Sequence, residues 1–275
     1  MQNMKNVIFP KKINKNQLKT FFRNKQLSVE LGLTKNLMRE NVNDQLMRKL
    51  VSNPYAPELV DLYRLYQFIV LNKRTTILEF GSGWSSLIFV SALNELKKKY
   101  KHQVKKLRRG NPFELFILEN EKKFLNISKK RIEKYLKKKS IKNFVNYKHS
   151  DVEMTIFNDR IATQYKSLPL CSPDFIYLDG PDQFRVKKRI NNVTVNHKDM
   201  MPMVCDILRI EYFLTPGTII VCDGRGANAK FLKDNFKRNW SYKNDHKHDQ
   251  HIFCLNDPVL GKYNKLQLKF YKNKI

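Results

Sequence analysis

The sequence predicts an α/β protein built on a doubly wound, mostly parallel sheet. Three short apolar runs, Thr75–Leu78, Phe113–Leu118 and Asp174–Leu178, are separated by longer segments whose apolar residues recur with helical spacing. Strands that alternate with helices in this way usually form parallel βαβ units. An acidic residue follows each of the three runs directly. Ligands bind such sheets outside the carboxyl ends of the strands, so these acids are the first candidate functional residues.

The first run is predicted as a strand that ends at Glu79, and a turn with Gly81 and Gly83 follows it. Glycines allow a sharp turn and a close approach of the backbone to a ligand, and the helix N-terminus behind them offers unpaired N–H groups. The third glycine of the dinucleotide-binding fingerprint is absent, because Ser86 stands in its place. An acid before the turn repels phosphate but suits a ligand that carries an amino group or a sulfonium.

The acid-x-G-x-G pattern of residues 79–83 resembles motif I of the class I S-adenosylmethionine-dependent methyltransferases. The resemblance covers roughly residues 58–256 and implies a Rossmann-like methyltransferase fold with a sheet of the seven-stranded type. It also implies that S-adenosylmethionine is the cofactor and that the turn holds it through Glu79, Gly81, Ser82, Gly83, Ser85 and Ser86. The alternative is an ordinary strand-to-helix turn with a solvated glutamate.

The second and third strands carry the other residues that the resemblance assigns to the cofactor. Glu119, followed by Asn120, ends the second strand, where a carboxylate can bind both ribose hydroxyls. The alternative role of Glu119 is to cap the helix that follows. Residues 143–148 are predicted as the third strand, and Asp151 and Val152 then fall where the family holds adenine. A basic segment between the first two acids is predicted as an insertion, which is either a solvated helix end or a phosphate-binding edge.

The fourth strand delivers Asp179 to the carboxyl edge of the predicted sheet. Methyl transfer from a sulfonium is an in-line displacement, so an enzyme supplies alignment and, for a hydroxyl acceptor, a base. We predict Asp179 and Asp182 as candidate catalytic bases, with Asp179 also contacting the cofactor. His197 is the next candidate, because residues 183–200 must pass over the site. The alternative for His197 is a solvated loop position.

Basic residues near the fourth and fifth strands predict an anionic acceptor, and the candidate acceptor contacts are Arg185, Lys188 and Arg225. Magnesium-dependent members of the resembling family place Asn or Asp after the acid of the fifth strand. Gly224 follows Asp223 here, so we predict no metal. The histidines of residues 246–251 look metal-binding by composition, but alternation on an extended segment divides them between two faces, which favours a hairpin that shapes the pocket wall.

The rest of the chain continues the alternation, and its predicted elements extend the domain to the end of the sequence. Residues 1–57 are predicted as a helical, basic extension and residues 58–275 as the main domain. Residues 201–214 and 227–236 are predicted as helices, residues 218–222 and 251–255 as strands, and residues 266–271 as a further strand. Within the extension, residues 37–50 show helical spacing, and residues 53–55 are predicted as a turn.

Composition limits the classes of partner. The 275 residues include 53 Lys and Arg against 25 Asp and Glu, a formal charge of +28. This charge fits the binding of nucleic acid or another polyanion. A composition rich in Lys, Asn and Ile, however, also places many lysines on any solvated surface. The four cysteines form no C-x-x-C pair and are predicted as buried thiols in a reducing compartment. Because neither a signal segment nor an apolar run of ~18 residues is present, we expect a soluble, cytoplasmic protein.

Together these observations predict a methyltransferase that modifies a hydroxyl of a small molecule or saccharide. Two alternatives remain open, an RNA or DNA methyltransferase and a non-catalytic module that binds nucleic acid or anions on the same fold. The first is favoured by the charge but lacks the (N/D)-P-P-(Y/F) tetrad, since Asp179-Gly180-Pro181-Asp182 stands after the fourth strand. The sequence leaves the oligomeric state open.

Overall fold

The computed structural model describes residue 4, residues 6–33 and residues 57–272. Its strands are β1 (Thr76–Phe80), β2 (Glu114–Glu119), β3 (Val145–His149), β4 (Val152–Phe157), β5 (Arg160–Tyr165), β6 (Phe175–Leu178), β7 (Val186–Lys187), β8 (Ile219–Asp223), β9 (Trp240–Asp245) and β10 (Gln250–Leu255). Its helices are α1 (Lys15–Asn24), α2 (Leu59–Leu71), α3 (Trp84–Val104), α4 (Lys122–Lys138), α5 (Asp206–Arg209), α6 (Gly226–Asn235) and α7 (Lys262–Lys272).

Seven strands form the central sheet in the order β3-β2-β1-β6-β8-β10-β9. The first five are parallel to one another, whereas β10 runs antiparallel to both β8 and β9. The chain builds outward from β1 to β3 and then returns to the other side of β1 with β6. The predicted doubly wound, mostly parallel sheet is therefore confirmed, and its topological switch point lies between β1 and β6.

Both faces of the central strands are buried, which explains why these strands are continuous apolar runs. Side chains alternate along a strand, so Ile77 packs into the core beneath α1–α4 and α7, and Leu78 into the core on the opposite face. The second core also takes apolar residues from β4, β5, α5 and α6. The helices thus cover both faces. The amino and carboxyl ends of the strands, which form the amino edge and the carboxyl edge of the sheet, stay open for loops.

The predicted basic insertion is largely helical. α3 continues through Val104, so most of the lysines after residue 96 lie on its last turns. Leu96, Tyr100 and Val104 are buried at four-residue spacing, which keeps one face of the helix on the core and the lysines in solvent.

A second, three-stranded sheet with the order β5-β4-β7 was not predicted. β4 and β5 form a hairpin whose turn residues Asn158 and Asp159 both have left-handed backbones, with φ of 47° and 58°. Successive left-handed residues match the twist of a tight hairpin. Val152 of β4 also pairs in parallel with Val186 of β7, so the hairpin holds the segment that follows β6.

Two predicted elements are wrong. Residues 201–214 form only the short α5 and a 3-10 turn, because Met203 and Cys205 bond to the backbone of Thr163 instead of continuing a helix. Residues 266–271 belong to α7 and are not a strand. The buried residues Gln267, Phe270 and Tyr271 have the three- and four-residue spacing of a helical face.

The N-terminal part contains the helix α1, which begins with a reciprocal cap between Asn14 and Gln17. Phe21 of α1 packs edge-on against Tyr63 and Tyr66 of α2, so this part joins the main core. The helical spacing at residues 37–50 and the turn at residues 53–55 lie outside the described residues, and the domain boundary near residue 57 stays a prediction.

All four cysteines are free thiols, and Cys205, Cys222 and Cys254 are buried. Over the ranges that the structure covers, no helix combines the length and the apolar character that crossing a membrane requires.

Candidate functional site

The turn after β1 and the turn after β6 touch each other backbone to backbone. Gly81 has a φ of +100°, and a Cβ on Gly180 would lie only 2.5 Å from the Gly81 nitrogen and 2.6 Å from its Cα. A Cβ on Gly81 would in turn lie 2.9 Å from the Gly180 nitrogen. Because a side chain fits at neither position, the glycines bring the two strand tips together at the switch point of the sheet.

Glu79, the last residue but one of β1, is 1% exposed. Its Oε1 accepts a hydrogen bond of 2.5 Å from the Ser85 hydroxyl, while its Oε2 has no hydrogen-bond partner among the described residues. Burial raises the pKa of Glu79 to about 8, and the charges of Asp179 and Glu119 act in the same direction. A buried oxygen without a donor is costly, so this carboxyl is suited to a ligand that brings a donor or a positive charge.

Glu119 ends β2 and is 3% exposed. Its Oε2 accepts a 2.8 Å bond from the Ser82 hydroxyl, and its Oε1 accepts from the backbone N–H groups of Asn120 and Glu121. Burial still raises the pKa of Glu119 to about 7. The cap of α4 is Glu121, whose side chain accepts from the Lys123 N–H, so Glu119 does not occupy the capping position that was the alternative for it.

Asn120 joins the tip of β2 to the segment after β6. Its Oδ1 accepts from the Asp182 N–H at 2.8 Å, and its Nδ2 donates to the Asp182 carbonyl at 3.0 Å. The Asp182 carboxylate accepts from the Phe184 N–H at 2.8 Å and caps a 3-10 turn. Burial raises the pKa of Asp182. These bonds give Asn120 and Asp182 clear structural roles at the site.

Asp179 lies directly after β6, and 55% of its side chain is exposed. Arg225 donates to the carbonyls of Asp179 and Pro181 at 2.6 and 3.2 Å, and its Nε is 3.8 Å from the Asp179 Oδ1. Arg225 therefore holds the turn and leaves the carboxylate accessible. Although solvent reaches the carboxylate, the surrounding protein desolvates it, and this raises its pKa above the usual range while Arg225 opposes the change.

The sequence analysis did not select two further acids at this edge, Asp223, which lies near Asp179, and Asp61, which lies near Asp223. Burial raises the pKa of Asp61 to about 8, assisted by a hydrogen bond with Glu58 and by repulsion from Asp223. Burial and the Asp179 charge raise the pKa of Asp223 to about 7, and the Tyr177 hydroxyl donates to its Oδ2 at 2.8 Å. Asp61 was missed because acids are common in the first turn of a helix. The sequence nevertheless indicates the position of Asp61, because α2 leads directly into β1 and, if it runs antiparallel to β1, must begin at the carboxyl edge.

Arg64 of α2 fixes the β9–β10 hairpin. It donates to the Gln250 Oε1 at 2.8 Å and to the Asp245 Oδ2 at 2.7 Å, and the His248 Nδ1 is 3.0 Å from the Asp245 Oδ1. His251 bonds instead to the Tyr242 hydroxyl. The predicted hairpin is present at residues 240–255. Within the described parts of the chain, no three His, Cys, Asp or Glu side chains are placed to hold a metal ion.

The remaining predicted residues lie around the strand ends that carry Glu79, Glu119 and Asp179. Asp151 follows β3 and pairs with Lys187 at 2.8 Å, which lowers the pKa of Asp151. Val152 is buried in β4. The side chain of His197 is 58% exposed, and its Nδ1 accepts from the Asp199 N–H. All three predicted acceptor contacts are paired with acids, Arg185 with Glu121, Lys188 with Glu153 and Arg225 with Asp179.

The sheet has six parallel strands, one antiparallel strand, β10, between β8 and β9, and its glycine turn at the switch point. The chain has the Rossmann-like methyltransferase fold. The predicted turn and strand-tip residues 79–86, 119–120, 179–182 and 225 lie together at the carboxyl edge of this sheet. His197 instead contacts its own loop at Asp199, and Lys188 pairs with Glu153 of β4.

Neither a protein-family model nor a curated protein matches the chain. Solved structures similar to it include a methyltransferase from Geobacter sulfurreducens, with 9% identity, 83% of this chain and 96% of that chain covered, and a TM-score of 0.42. Another is the O-methyltransferase TomG from Streptomyces achromogenes in complex with SAM, with 14% identity, coverage of 84% and 96%, and a TM-score of 0.40. A third is an O-methyltransferase from Bacillus cereus in complex with SAH, with 12% identity, coverage of 91% and 94%, and a TM-score of 0.36. Since these values are low, the fold assignment rests on strand order and direction.

Proposed function

We propose that the protein is an S-adenosylmethionine-dependent methyltransferase that acts on a hydroxyl of a small molecule or saccharide. The observation that carries this proposal is the pair of buried carboxyls, Glu79 and Glu119, on either side of the Gly81–Gly83 turn at the switch point. A cationic, ribose-containing ligand matches this pair, whereas the phosphates of a dinucleotide do not.

Each part of the cofactor has a matching group in the chain. The unpaired Oε2 of Glu79 suits the ammonium of the amino-acid portion, and the start of α3 offers N–H groups to its carboxylate. Glu119 suits the ribose hydroxyls, with Ser82 beside it. The contacts of Asp151 and Val152 with adenine stay a prediction.

The cofactor supplies a methyl group that is already activated by the sulfonium, so the chain must align the acceptor and remove its proton. Asp179 is the best-placed candidate base, because its carboxylate is accessible and its pKa is raised. The Asp182 carboxylate already accepts the Phe184 N–H, and His197 is held within its own loop. In this proposal Asp179 accepts the proton of the acceptor hydroxyl as the oxygen attacks the methyl group.

An anionic acceptor remains part of the proposal through Arg185, Lys188 and Arg225. Arg225 already lies beside Asp179, while Arg185 and Lys188 would exchange their acidic partners for the acceptor. Their exposed side chains, 58% and 62% accessible, leave room for this exchange.

The first test is thermal unfolding with S-adenosylhomocysteine. At ~100 times its dissociation constant, a ligand adds about 2.7 kcal/mol to the free energy of unfolding, or roughly 5–10 °C for a chain of this size. We expect this rise with S-adenosylhomocysteine and none with NAD. No rise at saturating S-adenosylhomocysteine would overturn the cofactor assignment and leave the fold unaffected.

Glu119→Gln is expected to weaken S-adenosylhomocysteine binding by about tenfold or more, because a neutral amide accepts the ribose hydroxyls less strongly than a carboxylate. Glu121→Gln is the matched control, since it makes the same change two residues away, at the cap of α4. Calorimetric titration of both variants measures the difference. Equal affinities for Glu119→Gln and the wild type would remove Glu119 from the cofactor site.

Cofactor affinity is expected to increase from about pH 6 to about pH 7.5. The pKa values of Glu79 and Glu119 are raised to about 8 and about 7, so both carboxyls gain negative charge over this range. The free amino group of the cofactor keeps most of its proton until its pKa near ~8. Titrations in buffers of different ionisation enthalpy should also detect proton release. An affinity that stays constant or falls over this range would contradict the assignment of Glu79.

A further inference from the structure

A cavity of about 260 Å³ opens at the amino edge of the central sheet. The loop after α3, Thr215 before β8 and the first residues of α7 line it. The acids of the candidate site lie at the other edge, so the strands, four to six residues long, separate the two places by about 15 Å. The cavity is therefore distinct from the proposed cofactor site.

The lining of this cavity is basic and contains no acidic residue. Its charged members are Arg108, Arg109 and Lys262. Arg108 and Lys262 are exposed, and the Arg108 guanidinium lies 5.3 Å from the centre of the Tyr263 ring, which places it at the rim. Two exposed cations, together with a buried arginine whose ion-pair partner Asp174 lies outside the lining, favour an anionic occupant.

Arg109 is the buried member of this set, with a side chain that is 5% exposed. It donates to the Ser172 carbonyl at 2.7 Å, but its Nε has no hydrogen-bond partner in the described part of the chain. Its nearest acid, Asp174, is 3.6 Å away and already accepts bonds from the two backbone N–H groups of Thr75 and Thr76 and from the Thr75 and Tyr271 hydroxyls. Arg109 therefore keeps donor capacity in the cavity wall.

The start of α7 and Thr215 add neutral donors. The first backbone bond of α7 runs from Lys265 to the Gly261 carbonyl, and the N–H groups of Lys262 and Tyr263 bond to no described residue. The Asn264 side chain is engaged with Leu260 and Pro216 and does not cap them. The Thr215 hydroxyl is also buried without a partner among the described residues. Unpaired N–H groups at a helix start and a guanidinium are the usual partners of phosphate.

We propose that this cavity binds a phosphate group, carried either by inorganic phosphate or by a small phosphate monoester. The phosphate accepts from Arg109, the Thr215 hydroxyl and the N–H groups at the start of α7, with Arg108 and Lys262 closing over it. Leu107 and Leu260 in the lining offer apolar contact to an organic portion. The basic segment between Glu79 and Glu119 had two predicted alternatives, a solvated helix end and a phosphate-binding edge. This proposal gives the second role to the last residues of the segment.

Calorimetric titration at constant ionic strength with inorganic phosphate tests the proposal, and ribose 5-phosphate serves as the monoester. The double variant Arg108→Gln/Lys262→Gln is expected to bind phosphate about tenfold or more weakly than the wild type. Thr215→Val, which removes only the hydroxyl, should weaken binding several-fold. Lys265→Gln/Lys269→Gln is the matched control, because it removes the same charge from exposed positions of α7 outside the cavity lining.

The control is expected to bind like the wild type. Tighter binding of ribose 5-phosphate than of inorganic phosphate identifies a monoester as the ligand, and equal binding identifies inorganic phosphate. The proposal is overturned if wild-type protein gives no binding heat at millimolar phosphate, or if the control loses as much affinity as the cavity variant. Neither result bears on cofactor binding at the opposite edge.

Discussion

Gly180→Ala is expected to destabilise the protein by about 3 kcal/mol or more, at the upper end of overpacking effects. Its Cβ would lie 2.5–2.8 Å from main-chain atoms of Gly81 and Phe80, which cannot rotate away as a side chain can. The turns after β1 and β6 must then separate, so we also expect S-adenosylhomocysteine binding to be lost. Urea unfolding and a binding titration measure the two effects.

Gly110→Ala is the matched control, because a Cβ at Gly110 meets nothing within 4 Å. Its unfolding midpoint and its binding of S-adenosylhomocysteine should equal those of the wild type. If Gly180→Ala unfolds at the same urea concentration as this control, the close contact between the two turns is incorrect.

Asp174→Ala is expected to lower the free energy of unfolding by about 3–5 kcal/mol. Asp174 is fully buried at the amino end of β6, and its removal leaves the Thr75 and Thr76 N–H groups and the Tyr271 hydroxyl without their acceptor. It also removes the ion-pair partner of Arg109, 3.6 Å away. Buried donors that lose a partner bear their full desolvation cost. Chemical denaturation measures the change.

Asp234→Ala provides the comparison for Asp174→Ala. Asp234 is exposed, and its one ion pair among the described residues is with Lys230, one helical turn away, so its replacement should leave the unfolding midpoint unchanged. If Asp174→Ala lowers the free energy of unfolding no more than Asp234→Ala does, the buried hydrogen bonds to Asp174 are incorrect.

The fold was predictable where burial dictates the residue type. β1, β2, β6 and β8 are covered on both faces and therefore read as apolar runs ending in an acid. The β4–β5 hairpin was not predicted, because its outer face is solvated and its polar turn looks like a loop. Residues 201–214 were predicted as a helix since a short buried apolar run has no distinctive period. α7 has Leu266, Leu268 and Phe270 at alternate positions, which imitates a strand.

The candidate site was predictable to the extent that strand ends define it. Glu79, Glu119 and Asp179 follow strands directly, and parallel strands bring their carboxyl ends to one edge. Asp61 and Arg64 come from a helix that precedes the sheet, and they reach this edge because α2 runs antiparallel to β1, a direction that the sequence analysis did not use. The pairing of Arg185 and Lys188 with Glu121 and Glu153 likewise depends on the unpredicted β4–β7 contact and on the position of α4.

The direction of α3 and α4 places their lysine-rich ends at the amino ends of the strands. Both helices return antiparallel to the strands, so their lysine-rich ends, residues 97–106 and 137–139, lie toward the amino edge, whereas the buried acids lie at the carboxyl edge. The molecule therefore concentrates lysines at the amino edge, opposite the proposed cofactor edge. On a phosphocellulose or other cation-exchange surface, it should adsorb with the amino edge inward. The proposed cofactor edge would then face the solvent and stay accessible to S-adenosylhomocysteine while the protein is immobilised.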